Sequence, residues 1–347
     1  MRKLVLADRV ITQKDCFIIA EIGANHQGDP DLCEKMIVTA ARCGVDAVKM
    51  QKRDNRKMFT PAALERPYDS GFSYGKTYGE HREHLDWFGW PEFKRFKAVA
   101  EEHGVIFFAT PFEAASADFL HALGCNLWKI ASCDMTNLPL VEKVARYGDP
   151  VIISTGGASM ADINRLVRMI GPITSNYALL HCVSTYPNTD ENVNVSAITT
   201  LRETYPLQLV GFSTHHPGIV PLIIARTIGA AIFEIHFTMN RGSRGTDHGF
   251  SFEPKGLAQA VEDIKRVRTM LGTGRKEPLE TERAGFIRKM GKSIYAARPI
   301  PAGKILEAQD MEARSPADGL APYKMGELAG RVVKYAKKAG QVFSEST

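Results

Sequence analysis

Between Phe17 and Gly272 the sequence repeats one unit: a short apolar run, a stretch with helical periodicity, and a glycine where that helix would end. The runs are Phe17–Ile22, Val45–Met50, Val105–Ala109, Leu127–Ala131, Pro150–Ser154, Tyr177–Cys182, Leu207–Phe212 and Ala230–Ile235. Gly44, Gly104, Gly124, Gly148 and Gly229 stand where a left-handed residue closes a helix before the next strand. The runs are almost continuously apolar, as parallel strands covered on both faces must be. Eight such units over roughly 250 residues predict an α/β fold of the (β/α)8 barrel type. A doubly wound open sheet has the same periodicity, because alternation alone does not show closure.

The flanks follow other patterns. Residues 1–15 predict a short hairpin or cap with a turn at Asp8-Arg9. Residues 52–89, rich in tyrosine, glycine and charge, form an excursion after the second run. Ser159 and Asp162 have the spacing of a capping box for a helix reaching Ile170. After Gly272 comes the polar stretch GTGRKEPLETERAG, then the turn-rich runs SIYAARPIPAGKIL, DMEARSPADGLAP and VVKYAKKAGQVF. We expect a barrel domain over 1–280 and, over 281–347, a linker and a small β-rich domain. At about 55 residues that domain is too small to be richly cored alone.

Composition narrows the function classes. The apolar fraction of 44% and charged fraction of 24% are those of a soluble globular chain. No apolar run is long enough to span a membrane, and the N-terminus has no signal-peptide core. The six cysteines form no CxxC pair, which predicts reduced thiols and a cytoplasmic protein. The net charge of +5 suits small anionic substrates, and the distribution of Lys and Arg does not point to nucleic acid.

In a barrel, chemistry collects at the C-terminal ends of the strands. There the sequence places Glu21, Lys49 and Gln51, Thr110, Lys129 and Ser132, Ser154 and Thr155, His181 and Ser184, Ser213 and His215, and Glu234 and His236. Two lysines among hydroxyls suit a small phosphorylated, carboxylated ligand, because an unpaired buried ammonium is costly. A lysine there is also a candidate Schiff-base nucleophile. His215 and His236 follow neighbouring runs, so they would stand about one inter-strand spacing, ~5 Å, apart. Two neutral imidazoles at that distance can share a divalent metal, although the usual third protein ligand is not evident. Ordinary loop histidines are the alternative.

The segments AEIGANHQGD (20–29), DAVKMQ (46–51), ATPFE (109–113), WKIAS (128–132), ISTGGAS (153–159), LLHCVSTYP (179–187), GFSTHH (211–216) and EIHFT (234–238) stand in order along the chain, and DHGFSFEP closes the set at 247–254. Together they resemble the sialic acid synthase family, which includes the N-acetylneuraminate, legionaminate and pseudaminate synthases and spore-coat polysaccharide relatives. The tail resembles the family's antifreeze-like (SAF) domain. The resemblance covers nearly the whole chain. It implies condensation of phosphoenolpyruvate with an N-acylated mannosamine-type sugar, giving a nine-carbon 2-keto acid and phosphate. It also implies a divalent cation, manganese above all with magnesium or cobalt as substitutes, that polarises the sugar aldehyde. By position, His215 and His236 would be the metal ligands. Lys49, Thr110, Lys129, Ser132, Ser154, Ser184 and Ser213 would hold phosphoenolpyruvate. Gln51 and Tyr186 would line the sugar side, and Glu21, Asp134 and Asp247 would be the catalytic carboxylates. Arg314 would reach the partner's site in a domain-swapped homodimer.

The chain also departs from the family pattern. Thr214-His215-His216 stands for Asp-His-Thr, Ile235 for Lys, and Ser132-Cys133-Asp134 for Ser-Gly-Glu. Ser184 stands for Asn, and Thr246 for Pro. Loss of the carboxylate beside His215 would loosen the orientation of that imidazole, and His216 is a candidate replacement ligand. The departures predict a working synthase with an acceptor other than plain N-acetylmannosamine; a non-catalytic sugar-binding homologue is the alternative.

Overall fold

The computed structural model describes residues 2–6 and 9–345 and divides into two compact units, residues 1–272 and 273–347. Asp8, half of the expected N-terminal turn, lies outside the described residues. The flanking chain forms the hairpin, with β1 (Lys3–Val5) antiparallel to β2 (Val10–Thr12).

Eight parallel strands follow: β3 (Phe17–Gly23), β4 (Ala47–Lys52), β5 (Ile106–Pro111), β6 (Trp128–Ile130), β7 (Val151–Ser154), β8 (Tyr177–His181), β9 (Leu209–Thr214) and β10 (Ile232–His236). Their order around the sheet is β5-β4-β3-β10-β9-β8-β7-β6. β5 and β6 lie side by side without a ladder, so the barrel is nearly closed, with one seam held by packing. The expected (β/α)8 barrel is therefore the fold found. Helices lie between the strands, at Pro30–Arg42, Trp90–Glu102, Ala114–Ala122, Leu138–Ala145, Met160–Ile170, Ala197–Thr204 and Val220–Thr227, with Pro254–Leu271 after the last. Gly44 and Gly229 end two of them at φ +84° and +98°, a region that suits glycine. The Ser159–Asp162 capping box is formed.

The period of two along each strand sorts its side chains. On β3, Ile18, Ala20 and Ile22 pack outward against helices, while Phe17 and Ile19 pack inward. The inward set of Phe17, Ile19, Ala47, Phe108, Leu127, Ile152, Leu180, Leu209 and Ile232 forms one apolar layer with Leu4, Leu6 and Ile11 of the hairpin segment. Two residues further along the same faces stand Glu21, Lys49, Thr110, Lys129, Ser154 and Glu234, and four residues past Leu209 stands Ser213, all buried. The lower half of the barrel is thus a hydrocarbon plug, and the upper half is polar.

Several strands run one or two residues past the apolar runs, through Lys52, Pro111, Thr214 and His236. A polar side chain that turns into the mouth does not interrupt the backbone ladder. The same alternation corrects two strand-end candidates, Thr155, whose Oγ1 donates to the Leu180 carbonyl at 2.9 Å outside the mouth, and His181. His181 faces outward, stacks on Phe212 and has its Nε2 2.9 Å from the Val193 carbonyl.

The 52–89 excursion carries short helices at Asn55–Met58 and Pro61–Leu64 and a longer one at Tyr78–Asp86, capped by Thr77 and Glu80.

The second unit holds a helical stretch over 280–290 and the antiparallel pair β11 (Ser293–Ala296) and β12 (Met311–Arg314). Its own small core is built from Ile294, Ala296, Ile300, Leu306, Met311, Leu328, Val333 and Phe343. Asp310 is buried beneath Arg298 and Lys304, which pair with its carboxylate at 2.7 and 2.6 Å.

Candidate active site

A cavity of about 670 Å³ opens at the C-terminal ends of the strands. Its floor is the polar upper layer of the barrel. The Lys49 ammonium is 2.6 Å from Glu21 Oε2, 3.0 Å from Thr110 Oγ1 and 3.7 Å from Glu234 Oε2. Lys129 Nζ is 3.9 Å from the same Glu234 oxygen and donates to the Ile130 carbonyl at 2.8 Å. Ser213 Oγ donates to Glu234 Oε1 at 3.0 Å, and Gln51 Nε2 donates to Glu21 Oε1 at 3.0 Å.

This arrangement sets the two carboxylates apart. Burial pushes Glu21 up, to about 7, against the opposing charge of Lys49. Burial also acts to raise Glu234, but Lys129 and Lys49 together overcome it and hold that carboxyl low. Burial lowers Lys129 as well, with Glu234 opposing. Two carboxyl groups with opposite displacements in one chamber can divide proton-holding from charge-balancing. Glu234 Oε2 has no hydrogen bond, nor does the buried Ser154 Oγ, so both have capacity left for a ligand.

On one side Ser132, Ser154, Gly156 and Ser184 line the wall. The Gly156 N–H donates to Ser132 Oγ at 3.0 Å. A Cβ on Gly156 would overlap Ser184 Oγ and come within 2.8 Å of Ser132 Oγ. The missing side chain leaves a hydroxyl-lined recess beside two ammonium groups, a setting suited to a phosphate.

On another side the rings of His215 and His236 stand 5.1 Å apart, centroid to centroid. Nδ1 of His215 is 2.9 Å from the Val183 carbonyl; as the donor there, it leaves Nε2 free as a ligand. His236 Nδ1 is buried without a hydrogen bond and lies 3.6 Å from Asp247 Oδ2. Burial lowers both imidazoles, His215 to about 4 with His236 adding to the effect, so both are neutral donors at neutral pH. These residues fit a cation held by two imidazoles with Asp247 beside them. Among the described residues no group of three His, Cys, Asp or Glu side chains is already gathered as a closed site. His216 is no third ligand, because its Nε2 turns to Asp190 Oδ1 at 3.0 Å.

The other nominated barrel residues also line this cavity: Gln51, Thr110, Tyr186 and Asp247. Asp134 does not. It ends the turn Ser132–Asp134, where its carboxylate accepts from Asn137 Nδ2 at 3.1 Å. Arg314 belongs to the second unit, where it is exposed at the end of β12 and pairs with Glu312 at 2.9 Å. Tyr74, His81 and Arg82, from the excursion, and Arg244 also line the wall and were not singled out by the sequence reading. The available signal was position: an insertion after the C-terminal end of a barrel strand must emerge at the mouth.

Comparison with known proteins decides the family. Residues 36–276 match the NeuB family, and residues 291–347 match the SAF domain. The chain belongs to the NeuB, or sialic acid synthase, family. It is 38% identical to N-acetylneuraminate-9-phosphate synthase of Mus musculus, covering 92% of this chain and 88% of that one. It is 31% identical to N,N'-diacetyllegionaminic acid synthase of Campylobacter jejuni, covering 96% and 100%. The crystal structure of N-acetylneuraminic acid synthetase from Leptospira borgpetersenii in complex with citrate matches at TM-score 0.72 and 35% identity, over 82% of this chain and 95% of that one. This member of the NeuB family is therefore an enzyme of the synthase type. No described helix is long and apolar enough to cross a membrane.

Proposed function

We propose that the enzyme condenses phosphoenolpyruvate with an N-acylated mannosamine-type aldose, releasing a nine-carbon 2-keto acid and inorganic phosphate. The observation that carries this reading is the buried Lys49–Glu234–Lys129 group beside the hydroxyl-lined recess at Gly156. It offers two cations and several hydroxyls to a ligand bearing phosphate and carboxylate.

In the reaction, C3 of the enol forms a carbon–carbon bond to the aldehyde carbon. Water adds at C2, and the C2–O bond to phosphate breaks, so that one water enters and one phosphate leaves. Lys49 and Lys129 balance the anionic charge. Glu21, raised by burial, is placed to hold or pass a proton. A divalent cation at His215 and His236, manganese in preference to magnesium or cobalt, supplies Lewis-acid polarisation of a carbonyl when bound. Asp247 orients His236, and Gln51 and Tyr186 contact the sugar.

A second copy of the chain completes the assembly in this reading. Leu279, Phe286, Ile287 and Met290 are all at least half exposed along 279–290, an apolar strip suited to a homodimer contact. Arg314 would then act in the partner's site. The six cysteines are all free, which suits a reducing cytoplasm.

Phosphate release from phosphoenolpyruvate, with and without manganese, across N-acylated mannosamines and related sugars tests the reading. Sugars bearing a 6-phosphate belong in the panel. The mouse relative is named a 9-phosphate synthase, and Arg244 lines the cavity without a carboxylate partner among the described residues. Metal-dependent release with one sugar is expected. Borohydride trapping of a Lys129 or Lys49 adduct without any metal requirement would replace the reading with a Schiff-base aldolase. Binding of sugar with no phosphate release across the panel would favour a non-catalytic homologue.

A further inference from the structure

Arg53 follows directly on β4, two positions beyond Gln51 and therefore on the same side of the chain. It is only 8% exposed. Its guanidinium lies 4.0 Å from the centroid of the Phe112 ring, and Nη2 donates to Gln51 Oε1. Nε is 3.8 Å from Asp86 Oδ1, and it has no hydrogen-bond partner. Asp86 is itself gripped by Arg82 through both carboxylate oxygens. A buried guanidinium shared this loosely with one carboxylate costs stability, so a structural ion pair is a poor account of it.

The hydrogen-bonding logic supplies a better one. An amide side chain is nearly symmetric in shape but not in chemistry, because one end only donates and the other only accepts. Guanidinium is donor-only, so Arg53 admits only Oε1 of Gln51 on its side. That forces Nε2 toward Glu21, where the 3.0 Å hydrogen bond is found. One N–H of Nε2 is then used, and the other is left for the cavity that Gln51 lines. Reversing the amide would set its oxygen against the Glu21 carboxyl and its N–H groups against a cation. Arg53 thus converts a two-way side chain into a one-way donor. Its charge also reaches Asp134 and Cys133 beside the cavity, opposing the rise that burial causes in both.

We propose that Arg53 is a positioning residue that fixes the Gln51 amide as a hydrogen-bond donor toward Glu21 and the sugar acceptor. Only the word acceptor rests on the proposed function; the orientation of Gln51 does not.

Two measurements test it. In protein labelled with 15N-glutamine, the Gln51 side-chain amide, assigned by its loss in Q51L, is expected to be shifted and slow to exchange in the wild type. In R53M it should move to ordinary solvent-exposed positions. An unchanged Gln51 signal in folded R53M would overturn the proposal without reference to any substrate. The second measurement is a kinetic cycle of R53M, Q51L and the double variant, with R53K as the conservative replacement. Removing one charge-assisted orienting contact is expected to raise KM for the acceptor about tenfold in R53M and leave KM for phosphoenolpyruvate nearly unchanged. R53K should recover part of the loss. The double variant should match Q51L alone, because Arg53 acts through Gln51. Effects that multiply in the double variant would show an independent role and overturn the assignment. Should R53M fail to fold, R53K combined with Q51L completes the same cycle.

Discussion

Lys49 Nζ lies 2.6 Å from Glu21 Oε2, and the same ammonium lies 3.7 Å from Glu234 Oε2, with all three side chains buried. One cation therefore separates two carboxyl groups at the centre of the barrel mouth. Removing it in Lys49→Met leaves both without that counter-charge. Breaking a buried pair from one side costs ~3–5 kcal/mol, so a fall of several degrees in Tm is expected alongside loss of activity. The loss should be larger at pH 8 than at pH 5. Without Lys49 the folded pKa of Glu21 rises further, and a raised carboxyl loses stability as pH increases. Equal Tm deficits at both pH values would rule out this account.

Glu21 itself provides a second test in the intact site. Burial moves it from the usual glutamate value of 4.5 to about 7. Between those values the native protein holds a proton that the unfolded chain has released. The native state then binds more protons, so this group's contribution to stability falls as pH rises from 4.5 to 7. Glu21→Gln cannot titrate. Its urea midpoint should decline less over that interval than the wild-type midpoint does. Parallel curves would mean that Glu21 is ionised throughout.

The layered barrel interior explains what could be read in the sequence and what could not. The apolar runs located all eight strands, because outward Ile18, Ala20 and Ile22 and inward Phe17 and Ile19 are apolar alike. The reading ended several strands early, before Gln51, Thr110, Ser213 and His236, which carry the ladder further into the polar half. A run of apolar residues measures the plug, whereas the ladder continues into the mouth. Lys49, Lys129, His215 and His236 were legible because charged or metal-binding side chains at strand ends have few other uses. His181 was not separable from them until the register showed it facing outward. Asp134 depended on the path of a three-residue turn. Tyr74, His81 and Arg82 reach the site from a segment whose only sequence signature is tyrosine, glycine and charge. Their placement depends on tertiary packing that no local periodicity encodes.

Gly156 makes the hydroxyl recess testable. A Cβ there would overlap Ser184 Oγ and crowd Ser132 Oγ. Gly156→Ala is expected to raise KM for phosphoenolpyruvate about tenfold, as lost phosphate contacts of that strength would, with a smaller change for the acceptor. Adding Ser184→Ala should recover part of the loss by clearing the overlap. An unchanged KM in Gly156→Ala would place the phosphate elsewhere in the cavity.

The facing pair His215 and His236 leads to a binding experiment that is independent of turnover. Manganese titrated into the protein and followed by electron paramagnetic resonance should bind at one site, and chelator should remove it. His215→Ala and His236→Ala should each abolish that site. Asp247→Ala, which removes the carboxylate 3.6 Å from His236 Nδ1, should weaken it ~10–100-fold. Retention of full affinity in both histidine variants would move the cation away from this pair.

The second unit rests on a small core, so its buried acid should matter more than a surface ion pair would. Asp310 accepts from Lys304, Arg298 and the Glu307 N–H, and together these hold its carboxyl well below the usual range. A carboxyl lowered on folding adds stability above its unfolded pKa, near 3.8, and loses it as pH falls below that value. Asp310→Asn should therefore destabilise residues 273–347 at neutral pH. Amide exchange should accelerate at Ile294, Ala296 and Met311, around which that core is built. The deficit should narrow toward pH 3, where the unfolded chain takes up a proton at this carboxyl that the folded wild type does not hold. Exchange rates in the barrel strands should not change. If they accelerated equally, Asp310 would be supporting the whole chain rather than its own small core.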